Sequence, residues 1–342
     1  MKKQIVAAAV AATMSAVALA DIAITGAAKV NFTNTDSGVS GTADTNVFTQ
    51  EMDLKVKGKS GDTEVVINFG GGAFDGDSLV NSSATANDTA GGAVDGDANQ
   101  VNVEDAYVKT KVGDVTIQAG TWDSGNNVLR ASSRKAGKFK ASTSVSGLDV
   151  YVAGGSAGAV SEEVGVATTV GGVNLAYVKK KAAAATNGET FKASTTLGGI
   201  NVKYHAENSD AVSADRDYIE LSGTFGDVAV RVGQATADAE ATIQGDDWMG
   251  DFESETAGTV RALSAGQDVT AIELATSVAG NKVTFRNISA DGVAGADTDW
   301  NKIIVTRPLA SGATFELTYT QQDDQVDAND ADILDLELAV SF

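Results

Sequence analysis

Apolar and polar residues alternate along most of the chain, and the alternation breaks at short glycine turns. In FKASTTLGGINVKY (191–204) two alternating runs flank Gly-Gly, and in YIELSGTFGDVAVRV (218–232) they flank Gly-Asp. A period of two residues is typical of a β-strand with one apolar face. Turn dipeptides of this kind supply the positive φ angles that short hairpin loops need. Each such unit therefore predicts a β-hairpin.

Hairpins of this type follow one another through the chain and are separated by longer polar stretches. They lie at 48–69, 106–120, 139–152, 164–178, 191–204, 218–232, 272–285 and 303–319, with single alternating segments at 22–33 and 333–342. Short turns that alternate with long loops are typical of an up-and-down barrel. The sequence thus predicts an all-β, transmembrane up-and-down antiparallel β-barrel of about 18 strands, with short periplasmic turns and long extracellular loops.

A soluble β-sandwich or β-solenoid would also show alternation, but two features argue against it. The chain has a single proline, so the strand ladders lose almost no donors. In addition, the apolar face of the strands carries only moderately apolar side chains. A β-sandwich of this size would need bulkier apolar side chains on the faces that form its core. The faces of the first strand of hairpin 139–152 show this contrast: Phe139, Ala141, Thr143 and Val145 against Lys138, Lys140, Ser142 and Ser144.

Residues 1–20 have the pattern of a cleaved signal peptide. Lys2 and Lys3 precede an apolar run over 5–19, and Ala18-Leu19-Ala20 is a small-residue cleavage site. The apolar run is shorter than the ~20 residues that a spanning helix needs. We therefore expect export, with residues 21–342 forming a single barrel domain.

Composition excludes several classes of function. A formal net charge of -21 argues against nucleic acid as a partner, because a phosphate backbone needs basic contacts. The chain has no cysteine and one histidine, which excludes thiol chemistry and histidine-based metal sites. The acidic stretch GDDWMGD (245–251) does not match an EF-hand loop. The sequence predicts no enzyme, no cofactor and no metal site.

Several of these features together resemble the general porins of Gram-negative outer membranes. They are the signal peptide, the start DIAITGAAKV (21–30), hairpins of the FGDVAVRVGQ type (225–234), and the last strand DLELAVSF (335–342). The resemblance implies localisation in the cell outer membrane, a homotrimer of water-filled barrels, and a third long loop folded inward. It also implies that Phe342 is an assembly signal read by the outer-membrane assembly machinery. The family usually has sixteen strands, so sixteen is the alternative to eighteen.

The lumen wall follows from strand parity, because alternate residues face opposite sides of a sheet. With Leu54, Val56 and Phe191 toward lipid, the charged residues between them face the channel. Asp149, Glu220, Glu273 and Glu316 share that face. The residues predicted to line the pore are Glu51, Asp53, Lys55, Lys57, Lys109, Lys111, Lys138, Lys140, Lys192, Lys203, Arg231 and Arg286.

Two loops are candidates for the constriction. The third long loop is TWDSGNNVLRASSRKAG (121–137), in which Asp123 is opposed by Arg130, Arg134 and Lys135. A loop with this charge balance would favour small anions at the narrowest point. The longer stretch 235–267 is the alternative, and Asp246, Asp247 and Asp251 would make it acidic.

The sequence predicts a porin for passive diffusion of small hydrophilic solutes and ions through a barrel embedded in outer-membrane lipid. One alternative is a substrate-selective channel for a sugar or an anion. A sugar channel needs a row of lumenal aromatic residues, and parity assembles only Tyr107 and Tyr151. The other alternative is an acidic calcium-binding protein with a structural or adhesive role at the surface.

Overall fold

The computed structural model describes residues 21–36, 44–71, 101–123, 129, 134–155, 162–181, 187–211, 213–241, 243, 248–249, 266–291, 297–324 and 330–342. The predicted signal peptide, residues 1–20, lies outside them. All regular elements in this part of the chain are β-strands. They are β1 (Asp21–Asp36), β2 (Thr45–Ser60), β3 (Thr63–Gly71), β4 (Val101–Val112), β5 (Val115–Asp123), β6 (Arg134–Val145), β7 (Leu148–Gly155), β8 (Glu162–Val170), β9 (Val173–Lys181), β10 (Gly188–Leu197), β11 (Ile200–Ser209), β12 (Arg216–Phe225), β13 (Val228–Ala237), β14 (Asp268–Val278), β15 (Asn281–Asp291), β16 (Thr298–Pro308), β17 (Ala313–Asp324) and β18 (Ala331–Ser341).

The strands form one closed antiparallel barrel. Each strand pairs with its neighbours in sequence, and β1 pairs with both β2 and β18. At the closing seam, Val30 lies opposite Leu338 and Phe32 opposite Leu336. The prediction of 18 strands is confirmed, and the alternative of 16 is wrong. Within the described residues, no helix is long and apolar enough to cross a membrane.

Short turns join the strands at one end of the barrel, which we name the turn end. Gly171 and Gly172 form the β8–β9 turn with φ of 59° and 83°, and Gly198 and Gly199 repeat this geometry between β10 and β11. Only glycine adopts two successive left-handed conformations without a steric cost. We name the opposite end the loop end. The longer connections of the chain leave the strands there.

The two faces of the barrel wall differ in chemistry. The outward face carries large apolar side chains that are exposed, for example Ile24, Phe139 and Leu221. The inward face carries most of the charged strand residues and all the fully buried apolar ones, including Val269 and Ile288. An apolar exterior around a polar interior is the arrangement of a barrel that has lipid as its outer solvent.

The chain terminus closes the seam. The Gly26 N–H donates to the Phe342 carbonyl at 2.8 Å, and the Phe342 N–H donates to the Gly26 carbonyl at 2.9 Å. A Cβ atom at position 26 would lie 2.6 Å from the Phe342 ring and 2.8 Å from the Asp53 carbonyl oxygen. Gly26 therefore provides the space that the terminal ring occupies. The role of Phe342 as an assembly signal stays a prediction.

Candidate functional site: the barrel lumen

Register places the charged residues singled out in the sequence on the inward face. Lys57 lies opposite Val66, Val66 opposite Tyr107, Tyr107 opposite Gly120, and Gly120 opposite Lys138. Residues paired in this way project to the same side of the sheet. The same tracing puts the other predicted lining residues on this side: Glu51, Asp53, Lys55, Lys109, Lys111, Lys140, Lys192, Lys203, Arg231 and Arg286.

Five of the inward-facing glutamates are paired with cations on neighbouring strands, whereas Glu316 and Glu337 make no ion pair in the described structure. Lys29 Nζ is 2.8 Å from Glu51 Oε2, and Lys57 Nζ is 2.8 Å from Glu64 Oε2. Lys180 Nζ is 4.0 Å from Glu163 Oε1. Arg286 holds Glu273 through Nε at 3.0 Å and Nη2 at 2.7 Å, and Lys203 holds Glu220 at 2.9 Å. The five ion-paired glutamates therefore present little net charge to the lumen.

Several inward-facing lysines have no such partner. Within the described part of the chain, each makes neither an ion pair nor a hydrogen bond: Lys55, Lys109, Lys111, Lys140 and Lys192. Four of them are exposed and Lys140 is half-buried. Uncompensated ammonium groups on a wet wall raise the local concentration of anions. The described wall thus carries lysines outside ion pairs on β2, β4, β6 and β10, with Glu64 near Lys109 and Glu207 near Lys192.

Aromatic rings accompany the lysines on β4 to β7. The Lys140 ammonium lies 4.1 Å from the centre of the Tyr151 ring, and the Lys138 ammonium lies 5.3 Å from the Trp122 ring. Trp122 meets Tyr107 edge-on, with ring centres 6.2 Å apart. Sequence parity missed Trp122 because the hairpin was ended at residue 120. A register shift between Gly120 and Trp122 keeps β5 paired through Asp123.

A cavity of about 470 Å³ opens on the lumen wall beside Tyr151. Its lining includes Lys111, Lys140, Thr116 and Ser142. Two ammonium groups beside hydroxyl groups and an aromatic ring can hold an anionic group and contact an apolar body next to it. The carboxylates of Asp114 and Asp149 also line this cavity, so this part of the wall offers both signs of charge to a polar solute.

Both candidate constriction loops place apolar residues inside the barrel. Leu129 belongs to the third loop, and Ile243, Trp248 and Met249 belong to the stretch 235–267. All are buried, and they pack on one another and on the inward wall. We name this set the loop cluster. Its wall residues are Tyr218, Ala235, Val269, Ala271, Ile288, Ala290 and Trp300, all from β12 to β16.

Specific contacts fix the loop cluster to the wall. Arg216 Nη1 donates to the Leu129 carbonyl at 2.8 Å. On β13, a Cβ atom at Gly233 would lie 2.5 Å from the Met249 sulfur and 2.9 Å from the Trp248 ring. The absence of a side chain at position 233 therefore makes room for both residues. Both loops therefore contribute to the covering of this wall, because Leu129 of one loop and Trp248 and Met249 of the other are buried against it.

The charged residues predicted for the constriction are only partly within the described structure. Asp123 ends β5, and Arg134 and Lys135 begin β6. Arg130 lies outside the described residues, as do Asp246, Asp247 and Asp251 of the alternative loop. Among the residues that the structure describes, no group of three or more His, Asp or Glu side chains could hold a metal ion.

The barrel is similar to solved outer-membrane proteins. The outer-membrane protein OprD from Pseudomonas aeruginosa matches with a TM-score of 0.65 and 10% identity, over 95% of this chain and 94% of that chain. A BenF-like porin from Pseudomonas fluorescens Pf-5 matches with a TM-score of 0.64 and 13% identity, over 94% and 98%. Pseudomonas aeruginosa OpdK, solved with vanillate, matches with a TM-score of 0.65 and 11% identity, over 94% and 98%. At these identities the likeness shows the fold.

No protein-family model matches the sequence, and no curated protein sequence matches it.

Proposed function

We propose that the chain is an outer-membrane porin through which small hydrophilic solutes and ions diffuse down their gradients. One observation carries the proposal: a closed barrel with an exposed apolar outer face and a charged inner face. In a membrane, such a barrel isolates a wet lumen from the hydrocarbon region. The similar fold of the porins named above supports it.

We further propose that the channel favours small organic anions over cations. The described wall supports this on β2, β4, β6 and β10, where five inward lysines make no ion pair, while Glu51, Glu64, Glu163, Glu220 and Glu273 are ion-paired and Glu316 and Glu337 are not. OpdK was solved with vanillate, a carboxylate, which is consistent with an anionic solute. The acidic residues of the long loops would attract cations and repel anions at the mouth of the channel. Salt screens this effect over ~8 Å at physiological ionic strength.

Assembly and export belong to the same proposal. The signal peptide at 1–20 follows from its own residue pattern, whereas the homotrimer and the recognition of Phe342 by the outer-membrane assembly machinery follow from the resemblance to general porins. Deletion of Phe342 should lower the yield in the outer membrane while export to the periplasm continues. Normal outer-membrane yield of the truncated chain would contradict the role of Phe342.

Planar-bilayer recording on the purified mature chain tests the proposed function. We expect discrete, roughly ohmic conductance steps, and a reversal potential under a salt gradient that indicates anion preference. A cation-selective reversal potential would contradict the anion preference alone. A folded barrel without conductance, which aggregates when calcium is added, would instead support an acidic surface protein with a structural or adhesive role.

A further inference from the structure

Glu220 lies at the junction between the lumen wall and the loop cluster. The side chain points inward from β12 and is 2% exposed. Its Oε2 accepts hydrogen bonds from the Tyr218 hydroxyl at 2.6 Å and from the Trp248 indole N–H at 3.2 Å. Lys203 Nζ is 2.9 Å from Oε1, and Arg231 Nε is 3.9 Å from Oε2. One buried carboxylate thus contacts three strands and one loop.

The positive charges around Glu220 are more exposed to water than its negative charge. The side chains of Lys203 and Arg231 are 51% and 33% exposed, whereas the carboxylate that balances them is hidden behind them. Lys192, on β10 two strands away, adds an exposed ammonium group that makes no ion pair in the described structure, although Glu207 acts on it electrostatically. Solutes in the lumen therefore meet cations whose positive field is reduced by a single buried anion.

The same carboxylate positions the loop. The Trp248 N–H reaches both Glu220 and the Tyr218 hydroxyl, the latter at 3.1 Å. The Arg231 guanidinium, drawn toward Glu220, lies 4.9 Å from the centre of the Trp248 ring. A buried indole needs an acceptor for its N–H group, and an ionised acceptor makes the stronger hydrogen bond. Removal of the acceptor would weaken the attachment of Trp248 to the wall.

We propose that Glu220 tunes the ion preference of the lumen and also positions Trp248. This inference rests on the proposed channel function. The inference attributes ion selectivity and the position of Trp248 to two separate properties of the Glu220 side chain. The negative charge tunes selectivity, and the hydrogen-bond acceptor positions Trp248.

The variant Glu220→Gln tests the first effect. It removes the charge but keeps an oxygen that can accept from the indole N–H, so the loop should stay in place. We expect the anion-to-cation permeability ratio, obtained from reversal potentials, to rise roughly threefold, as Coulomb's law gives for one unit charge about 6 Å from an ion in water. Single-channel current should remain as quiet as in the wild type.

Trp248→Phe tests the second effect. It removes the N–H donor and keeps every charge, so the reversal potential should stay unchanged while the noise of the open-channel current increases. The matched control is Glu189→Gln, which neutralises an outward-facing, ion-paired glutamate on β10 and should change neither quantity. Lys203→Gln removes a positive charge and should shift the reversal potential toward cation preference. This variant tests the selectivity role if Glu220→Gln fails to form channels.

Several results would overturn the inference. Reversal potentials of Glu220→Gln and Lys203→Gln equal to the wild type would overturn the selectivity role. An equal shift in Glu189→Gln would assign the effect to net charge in general. Unchanged current noise in Trp248→Phe would overturn the positioning role. A wild-type barrel that does not conduct would overturn the channel function and this inference together.

Discussion

The inward wall of the barrel has two sectors of opposite character. From β12 to β16 the loop cluster covers the wall, and Ala235, Val269 and Ile288 have no exposed surface. From β4 to β10 the wall is lined by small and polar residues such as Asn174 and Ser194, together with the lysines. We name these the covered sector and the open sector. The comparison teaches that strand parity assigns a face, whereas loop packing decides which inward residues meet water.

Two cations illustrate the difference. Arg286 and Lys192 were both predicted to line the pore, and both project inward. Arg286, in the covered sector, is buried and held by Glu273 through two hydrogen bonds. Lys192, in the open sector, is exposed and makes no ion pair within the described residues. We infer that Arg286 stabilises the covered sector and that Lys192 is accessible to solutes.

The largest expected effect is on the ion pair of the covered sector. Arg286→Ala leaves Glu273 buried without its partner, since the two side chains are only 11% and 17% exposed. Loss of one member of a buried pair costs about 3 kcal/mol or more. The matched variant Lys29→Ala breaks a pair whose side chains are both 41% exposed, and should cost less than about 1 kcal/mol. Urea unfolding in lipid micelles measures both free energies, and equal losses would show that burial does not strengthen the Arg286–Glu273 pair.

The next effect concerns the space that Gly233 provides. Gly233→Val would force Met249 and Trp248 away from the wall, because a Cβ atom alone already lies within 3 Å of both. Overpacking of this kind costs about 1–3 kcal/mol. Gly58→Val is the control, since a Cβ atom there meets nothing within 4 Å. Thermal unfolding should distinguish the variants, and a wild-type transition for Gly233→Val would show that the loop residues do not depend on this space.

A smaller effect is expected at Trp300. Its indole N–H donates to Gln322 at 3.3 Å in the covered sector. Trp300→Phe removes this buried hydrogen bond and should lower the free energy of unfolding by about 1 kcal/mol. Tyr319→Phe removes an exposed hydrogen bond to Asp332 on the outward face and should change stability far less. Urea midpoints compare the two, and the reverse order would contradict the burial argument.

The smallest effect is on selectivity in the open sector. Lys192→Gln should lower the anion-to-cation permeability ratio about twofold, as expected for one exposed charge screened by water. Lys302→Gln, at a buried inward position of the covered sector, should leave the reversal potential unchanged. A larger shift from Lys302→Gln would mean that solutes pass through the covered sector.

The sequence predicted the barrel and its faces well, and physical reasons explain this. Alternation with period two and positive-φ turn residues are local signals, so the hairpins, the count of 18 strands and the shared sheet side of Lys57 and Lys138 could be predicted, while their role in lining a pore stays a prediction. Strand ends were less certain, and Trp122 was missed because a bulge precedes it.

The covering of the wall could not be predicted from the sequence. It depends on contacts between distant residues, such as the hydrogen bond from Arg216 to Leu129, which are 87 positions apart. Neither loop has a periodic pattern that indicates where Leu129 or Trp248 would pack. The sequence posed a choice between the two loops, whereas in the described structure both reach the wall of β12 to β16.

The division into an open and a covered sector can be tested directly by thiol accessibility in a conducting channel. The chain has no cysteine, so Ala176→Cys in the open sector and Ala235→Cys in the covered sector each introduce a single thiol. A charged, membrane-impermeant thiol reagent should reduce the current through Ala176→Cys within seconds to minutes and leave Ala235→Cys unchanged. Rapid block of Ala235→Cys, or no reaction at Ala176→Cys, would contradict the account.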